Sequence, residues 1–284
     1  MIQDFDAYVH VIKVKEGVPI TLIPFGDIHR SSPNCAEDIW MEFLETAKAT
    51  KNAYFLGMGD YDDVISATER DILQHPGLHD STKMSLEDWY VHYTQRLFEE
   101  IKFMKGRVIG LIEGNHYANL QSGVTTTQLL CMKLNCRYFG CSAFVRLILE
   151  LDPHHRMKLD LCIHHGKGAG STTGASMNTV EKLQNNAEAD IYLMGHDHRK
   201  SIAMQSRMML SETRKYDAIE VKQRKIVSAR TGSFLKGYVP GKPSYVAQKA
   251  LRPADLGVIK IELVPRRKHV DKIDKRYIDL HVSL

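Results

Sequence analysis

The stretch "RVIGLIEGNHYANL" (107–120) begins as an apolar strand and ends at Gly-Asn-His. Gly-Asn pairs are common turn formers, so Asn115 alone is explained as a turn residue. His116 alone is explained as one of 14 histidines in the chain. A functional interpretation therefore depends on whether other strands end in the same way.

Four other apolar runs alternate with helical patterns along the chain, which is typical of an α/β fold. Together with the first stretch, the predicted buried strands are 18–25, 53–59, 107–114, 157–164 and 190–196. Helices are predicted at 36–50, 85–105, 124–134 and 176–188, the second beginning at a Ser85…Asp88 capping pattern. Further β-like stretches, some of them alternating polar and apolar, lie at 8–14, 144–151, 225–231 and 257–264. The sheet is therefore predicted to be partly antiparallel.

Each of the five buried strands is followed by residues that can bind a divalent metal. In chain order these are "GDIH" (26–29), "GDYDD" (59–63), "GNH" (114–116), "IHHG" (163–166) and "GHDH" (195–198). In an open α/β sheet, ligands gather outside the carboxyl ends of the strands, so the five loops are expected to converge. An Asp after a strand can simply cap a helix, and a lone His is more often structural. Five such coincidences at the same strand end are hard to explain without a common site.

The chemistry of these residues indicates a class of metal. Imidazoles, carboxylates and one amide oxygen suit Mn, Fe, Zn, Ni or Co better than an all-oxygen calcium site. One ion does not need so many ligands, whereas two ions bridged by a carboxylate do, and this arrangement recurs in displacement at phosphorus. The candidate ligands are Asp27, His29, Asp60, Asn115, His164 or His165, His196 and His198.

In this order, the motifs resemble those of the calcineurin-like metallophosphoesterase superfamily, including its phage and repair nucleases, over about residues 20–200. The resemblance implies a four-layer α/β/β/α sandwich of mixed sheets with flanking helices. It implies two divalent transition-metal ions, Mn first and Fe, Zn, Ni or Co as alternatives. Their ligands would be Asp27, His29 and His198 for one ion, and Asn115, His196 and His165 for the other, with Asp60 as the bridge. His164 is the alternative to His165, because members of the family differ in which histidine of this loop they use.

The resemblance also implies a reaction, in which a metal-bridging hydroxide attacks phosphorus and His116 stabilises the phosphoryl oxygens or protonates the leaving alkoxide. Asp63 would support the site from behind the ligands. The acid that follows the Gly-Asn-His motif in the family is replaced here by Tyr117. We therefore expect Asp62 or Asp63 to orient the neighbouring histidine instead.

Composition indicates a globular protein, with 43% hydrophobic and 25% charged residues among 284. We expect a single domain over 1–284 with a helical insertion at about 64–105. No segment has the length or apolarity of a membrane span, and the N-terminus does not have a signal-peptide pattern, so a cytoplasmic protein without a membrane partner is expected. Cys131, Cys136 and Cys141 are not spaced as a zinc knuckle and are predicted to be buried thiols rather than a zinc site. Nothing in the sequence supports a particular oligomeric state.

Charge is unevenly distributed along the chain. The basic segment 199–252 has 13 Lys or Arg and three acidic residues, in a chain whose total net charge is +4. Interspersed tyrosines and a phenylalanine favour a single-stranded DNA or RNA substrate, and hence a nuclease. The alternatives are a small-molecule phosphomonoesterase, a cyclic-nucleotide phosphodiesterase, or a metal-binding scaffold without activity. A basic segment of this kind is also compatible with a solvated face.

Overall fold

Two mixed β-sheets lie face to face in the computed structural model, which describes residues 7–63, 65–73, 77–168, 170–212, 219–242, 244–270 and 273–284. The first sheet has the order β1-β6-β7-β8-β10-β11, with β9 also paired to β10, and the second has the order β13-β12-β2-β3-β4-β5. The strands are β1 (Ala7–Lys13), β2 (Ile20–Phe25), β3 (Ala53–Gly57), β4 (Val108–Leu111), β5 (Arg137–Tyr138), β6 (Ser142–Asp152), β7 (His155–His164), β8 (Ile191–Met194), β9 (Lys200–Glu212), β10 (Ile219–Ser233), β11 (Gly257–Val258), β12 (Lys260–Val270) and β13 (Ile273–Ser283).

Six α-helices flank the sheets in the described part of the chain. They are α1 (Glu37–Ala49), α2 (Ala67–Leu73), α3 (Asp80–Ile101), α4 (Thr126–Leu134), α5 (Thr173–Glu181) and α6 (Tyr245–Gln248). None of the helices in these residues is both long and apolar enough to cross a membrane. The predicted α/β class with mixed sheets is confirmed, whereas the single domain with an insertion at 64–105 stays a prediction.

The buried strands follow from their composition. β2 reads "ITLIPF" and β8 reads "IYLM", and both are almost wholly buried, as expected for inner strands covered on two faces. β6 instead alternates between buried and more accessible positions. The antiparallel pairing expected from the alternating stretches is present at β6–β7, β9–β10 and β12–β13.

Three apolar clusters show how the layers stack. The largest lies between the sheets and joins Leu22 and Ile109 of the second sheet to Leu147 and Leu161 of the first. Another packs α1, α3 and α4 on the outer face of the second sheet, and a smaller one packs α5 on the first. The layer order is therefore helices, sheet, sheet, helix.

Three details of the fold differ from the sequence prediction. The helix predicted at 176–188 is α5, which ends at Glu181 and is followed by a 3-10 turn at Lys182–Asn185. Helix α3 begins at Asp80 with His79 as its N-cap, so the predicted start at Ser85 is wrong. The hydroxyl of Ser85 instead bonds to the carbonyl of Ser81 within the helix. Strand β9 was not predicted, because its apolar residues Met204, Met208 and Leu210 are exposed and it is defined by pairing with β10.

Glu100 connects two helices to the loop after β2. Its carboxylate accepts hydrogen bonds from Arg30 Nε at 2.9 and 3.0 Å and from the Trp40 indole at 2.7 Å. Arg30 also donates to Glu37 at the start of α1, and its side chain is only 6% exposed. This cluster ties α1 and α3 to the residue that directly follows His29.

We predict that Glu100→Ala destabilises the protein by about 3 kcal/mol, because it leaves the buried Arg30 guanidinium without its main partner. The measurement is the free energy of unfolding from urea denaturation. Glu99→Ala is the matched control, since Glu99 lies next to Glu100 on an exposed face, where its carboxylate bonds to Gln95 and Lys102. Equal losses of stability in the two variants would contradict this role of Glu100.

Candidate metal centre

The seven predicted ligands lie in five loops at one edge of the two sheets. Each loop directly follows the carboxyl end of one of the strands β2, β3, β4, β7 and β8. Three groups of side chains in these loops have donor atoms within 4.8 Å of one another. They are Asp27, His29 and His198; Asp60, His165 and His196; and His29, Asp63 and His116.

The backbone of these loops is left-handed at five of the ligands. The φ angles are 46° at Asp27, 48° at His29, 49° at Asp60, 72° at His196 and 60° at His198. Residues other than glycine rarely adopt this conformation, although Asp and His tolerate it better than most. Only three other non-glycine residues of the described chain do so. The clustering indicates that the fold holds these residues in strained positions, as is common at functional sites.

The first donor group is built around Asp27, which is fully buried. Its Oδ2 accepts a hydrogen bond from the backbone N–H of His196 at 2.9 Å, while Oδ1 has no hydrogen-bond partner. His198 Nε2 lies 3.5 Å from that Oδ1 and 3.3 Å from His29 Nε2. A buried carboxylate oxygen without a partner, facing two imidazole nitrogens, fits a cation site.

The second donor group is built around His165. Its Nδ1 donates to the carbonyl of Met58 at 2.8 Å, so Nε2 carries the lone pair of the neutral ring. That Nε2 lies 3.1 Å from Asn115 Oδ1, 3.2 Å from Asp60 Oδ2 and 3.2 Å from His196 Nδ1. Asn115 Oδ1 and Asp60 Oδ2 also carry lone pairs, so a proton on His196 Nδ1 would satisfy only one of these contacts, whereas a cation at the centre would satisfy all of them.

Asp60 connects the two groups. Its Oδ1 accepts hydrogen bonds from the backbone N–H groups of Asn115 and His116, at 2.7 and 2.9 Å. Its Oδ2 lies 3.9 Å from His29 Nε2 in the first group and 3.2 Å from His165 Nε2 in the second. This position fits the bridging role that the sequence assigned to Asp60.

Glycine is required where the loops meet. A Cβ at Gly114 would overlap Oδ1 and the backbone nitrogen of Asp60. A Cβ at Gly195 would lie 2.7 Å from Asp27 Oδ2. The glycines that precede Asn115 and His196 in the sequence motifs therefore allow the carboxylates of other loops to approach the backbone.

Electrostatics in the site follow from burial of acids beside imidazoles. Burial lowers the pKa of His165, but the hydrogen bond to Asp60 and the charges of Asp60 and Asp27 outweigh it and raise the pKa to about 9. Burial likewise raises the pKa of Asp27, but the neighbouring imidazole of His198 lowers it overall. Protons on imidazoles thus balance the buried carboxylates in the metal-free protein. Bound divalent cations would neutralise the carboxylates in place of these protons. The mixed nitrogen and oxygen donors suit transition metals.

Asp63 supports two histidines at once. Its Oδ1 lies 3.2 Å from His29 Nδ1 and 2.7 Å from His116 Nδ1. Burial lowers the pKa of His116, but Asp63 and Asp60 outweigh it, so the pKa is raised. The carboxylate of Asp62 instead accepts backbone N–H groups of Ser31 and Asp63. Asp62 and Asp63 were both candidates to orient His116 in place of the acid that Tyr117 replaces. Asp63 is the one that contacts His116.

His164 does not belong to any of the three donor groups found among the described residues. Its Nδ1 accepts a hydrogen bond from the backbone N–H of Gly166 at 2.7 Å, and burial lowers its pKa. It is the last residue of β7, whereas His165 is the first residue of the loop. Of the two alternatives, the structure brings His165 to the other ligands.

Sequence reasoning missed two arginines that hold the loops. Arg230, fully buried on β10, donates to the carbonyls of Gly195 and Ser176 at 2.6 and 3.2 Å. Arg70, on α2, donates to the carbonyls of Asn115 and Tyr117 at 3.2 and 2.5 Å. Arg230 was counted only as a charge of the basic segment and Arg70 was not considered, because no local motif marks an arginine that binds distant carbonyls.

The cysteines do not contribute to these donor groups in the described residues. All five are free thiols. Cys131 is buried and Cys136 partly buried, as expected, but Cys141 is exposed, so its predicted burial is wrong. It lies at the turn before β6, where the chain returns to the surface.

Many cations of the basic segment already contact other groups of the protein, so fewer are available to a ligand than its composition indicated. Eight of its cations contact other groups of the protein: Arg199, Lys200, Arg207, Lys222, Arg224, Arg230, Lys236 and Lys242. Arg214 and Lys215 lie outside the described residues. Lys222 and Lys225 lie on the half of β10 farther from the ligand loops, about 30 Å along the strand from Ser233 at a rise of about 3.3 Å per residue.

Comparisons with known proteins add little to this geometry. A scan of protein-family models and a search of curated proteins find no match to the chain. Among solved structures, vacuolar protein sorting 29 from Cryptosporidium parvum is similar, with a TM-score of 0.35 and 12% identity over 95% of this chain and 100% of that chain. At this TM-score the likeness carries no argument about function.

We predict that metal affinity rises with pH, because the raised pKa of His165 means that a proton must leave before its Nε2 can bind a metal. Below about pH 9, loss of one proton gives about a tenfold gain in apparent affinity per pH unit. Calorimetric titration of the metal-free protein with Mn²⁺, in buffers of different ionisation enthalpy, measures affinity and released protons together. An affinity that does not change from about pH 6.5 to about pH 8.5 would contradict the prediction.

Proposed function

We propose that this protein is a metal-dependent phosphoesterase with a binuclear centre, and that it hydrolyses phosphodiester bonds. The observation that carries the proposal is the cluster of possible ligand atoms around the buried His165, where atoms of Asn115, Asp60 and His196 all lie within 3.2 Å of Nε2. The bridging position of Asp60 adds to it, because paired metals that share a carboxylate recur in phosphoryl displacement. The ordered motifs of the calcineurin-like superfamily support the same assignment.

The residues divide the work as follows. Asp27, His29 and His198 would hold one cation, Asn115, His165 and His196 the other, and Asp60 would bridge them. When bound, two divalent cations supply Lewis-acid activation of water and of the phosphoryl oxygens. Asn115 contributes a neutral oxygen, which keeps the centre positive enough to attract a phosphate.

His116 is the proposed general acid. Asp63 holds its Nδ1, which leaves Nε2 to donate a proton to the departing alkoxide. The raised pKa of His116 favours its protonated form, as this role requires. The same carboxylate orients His29 through Nδ1, so Asp63 couples the position of a metal ligand to that of the acid.

Nucleic acid is the substrate class that the charge distribution favours, and it stays a prediction. The basic segment supports it by composition, although most of its described cations have partners within the protein. A small-molecule phosphomonoesterase or a cyclic-nucleotide phosphodiesterase would use the same metal centre. A substrate panel of single-stranded DNA, RNA, a cyclic nucleotide and bis-p-nitrophenyl phosphate separates these alternatives.

We predict that Asp60→Ala loses both bound metal and hydrolysis of bis-p-nitrophenyl phosphate, because this carboxylate lies between the two donor groups. His116→Ala should keep the metal and lose about 10²–10⁴-fold in turnover, the usual contribution of a general acid. Metal is measured by elemental analysis after dialysis, and turnover by release of nitrophenolate. The matched control is His164→Ala, which removes a neighbouring histidine that lies outside the donor groups.

Equal loss of metal in the Asp60 and His116 variants would show that His116 is a ligand. No hydrolysis of any ester by wild-type protein with two bound metals would instead favour a scaffold without activity.

A further inference from the structure

A second site lies at the opposite end of the sheets, in a cavity of about 490 Å³. It is bounded by the first half of β7, the first half of β10, and β13. This volume is within the usual range of ligand sites, about 300–1,000 Å³. We refer to it as the basic cavity, and its lining residues are His154, His155, Arg156, Met157, Lys158, Leu159, Asp190, Gln223, Arg224, Lys225, Arg276, Tyr277, Ile278 and Leu280.

The charge of this lining is strongly positive. It contains five Lys or Arg and a single acid, Asp190. Arg224 pairs with Asp190 at 2.6 Å, and Arg156 pairs with Glu150 at 2.7 Å. Lys158, Lys225 and Arg276 have no ion-pair partner among the residues that the structure describes. These three cations lie on three different strands, β7, β10 and β13, and all three residues line the cavity.

The rest of the lining is apolar or aromatic. Met157, Leu159 and Leu280 are buried and form part of the wall, while Tyr277 is 46% exposed. Unpaired cations bind phosphate groups, and the apolar part of the lining provides surface for a base or sugar. A simple solvated lysine face does not need an apolar wall or a cavity of this size.

The basic cavity is separate from the metal centre. From Met157 to His165 the chain runs along β7 for eight residues, which is about 26 Å at a strand rise of about 3.3 Å per residue. No metal ligand or supporting residue of the centre lines it. A ligand held there therefore makes its contacts away from the reacting phosphate.

We propose that the basic cavity binds nucleotides through their phosphate groups, either as units of a single-stranded nucleic acid or as free nucleotides. Lys158, Lys225 and Arg276 bind the phosphates. The inference does not rest on the proposed hydrolysis, since it needs only the cavity and its charge. The expected contact with nucleic acid is then the basic cavity, formed by three strands, and not the whole basic segment.

The test uses metal-free protein, so that no substrate is cleaved, and measures binding of a fluorescein-labelled single-stranded oligonucleotide by anisotropy. Lys158→Glu, Lys225→Glu and Arg276→Glu are combined in one variant. The matched control combines Lys48→Glu, Lys51→Glu and Lys105→Glu, which are exposed lysines beside α1 and after α3. We expect the cavity variant to lose at least about tenfold in affinity and about 2 in the slope of log K against log salt, at about 0.7 per phosphate contact on a single strand. The control should lose less than half of either effect.

Competition by ATP and AMP distinguishes the two sources of the ligand. Displacement of the oligonucleotide at micromolar ATP supports a free nucleotide, and displacement only by unlabelled oligonucleotide supports a strand. Unchanged affinity and salt slope in the folded cavity variant, or no binding by the wild type, overturns the proposal. If the glutamate variant does not fold, the combination Lys158→Gln, Lys225→Gln and Arg276→Gln takes its place with the same criteria. Hydrolysis of bis-p-nitrophenyl phosphate by the metal-loaded variants should stay at the wild-type rate.

Discussion

The carboxylate of Asp60 is the interaction on which the metal centre depends. Two backbone N–H groups from the loop after β4 fix one of its oxygens, so the other oxygen has a defined direction. That oxygen faces a histidine from the β2 loop and a histidine from the β7 loop. One side chain thus sets the relative position of loops from both sheets. Because it is only 3% exposed, its charge must be compensated from within the protein.

The two sheets make this arrangement possible. The parallel strands β2, β3 and β4 end at the same edge of the second sheet, and β7 and β8 end at the facing edge of the first. The apolar cluster between the sheets holds these edges together, and Arg230 and Glu100 tie the loops to the surrounding elements. Strained backbone at Asp27 and His198 is tolerated because contacts on several sides determine their positions.

Much of this was predictable from the sequence, for physical reasons. Strands covered on both faces must be continuously apolar, so β2, β4 and β8 were recognised, and parallel strands place their end loops together. The seven ligands could therefore be proposed before their positions were known. The strand β9 was not predicted, because its partner and not its own burial defines it. Similarly, Lys236 pairs with Asp38, 198 residues away, and no sequence pattern shows that such a cation is already neutralised.

The central claim is that two cations share Asp60 between the two donor groups. Electron paramagnetic resonance of the Mn²⁺-loaded protein, combined with a count of bound manganese, tests it most directly. The account predicts two Mn²⁺ per chain and the spectrum of an exchange-coupled pair, since metals that share a carboxylate lie about 3.5–4 Å apart. Asp60→Asn should weaken or abolish the coupling. A single Mn²⁺ per chain, or two with the six-line spectrum of isolated ions, would contradict it.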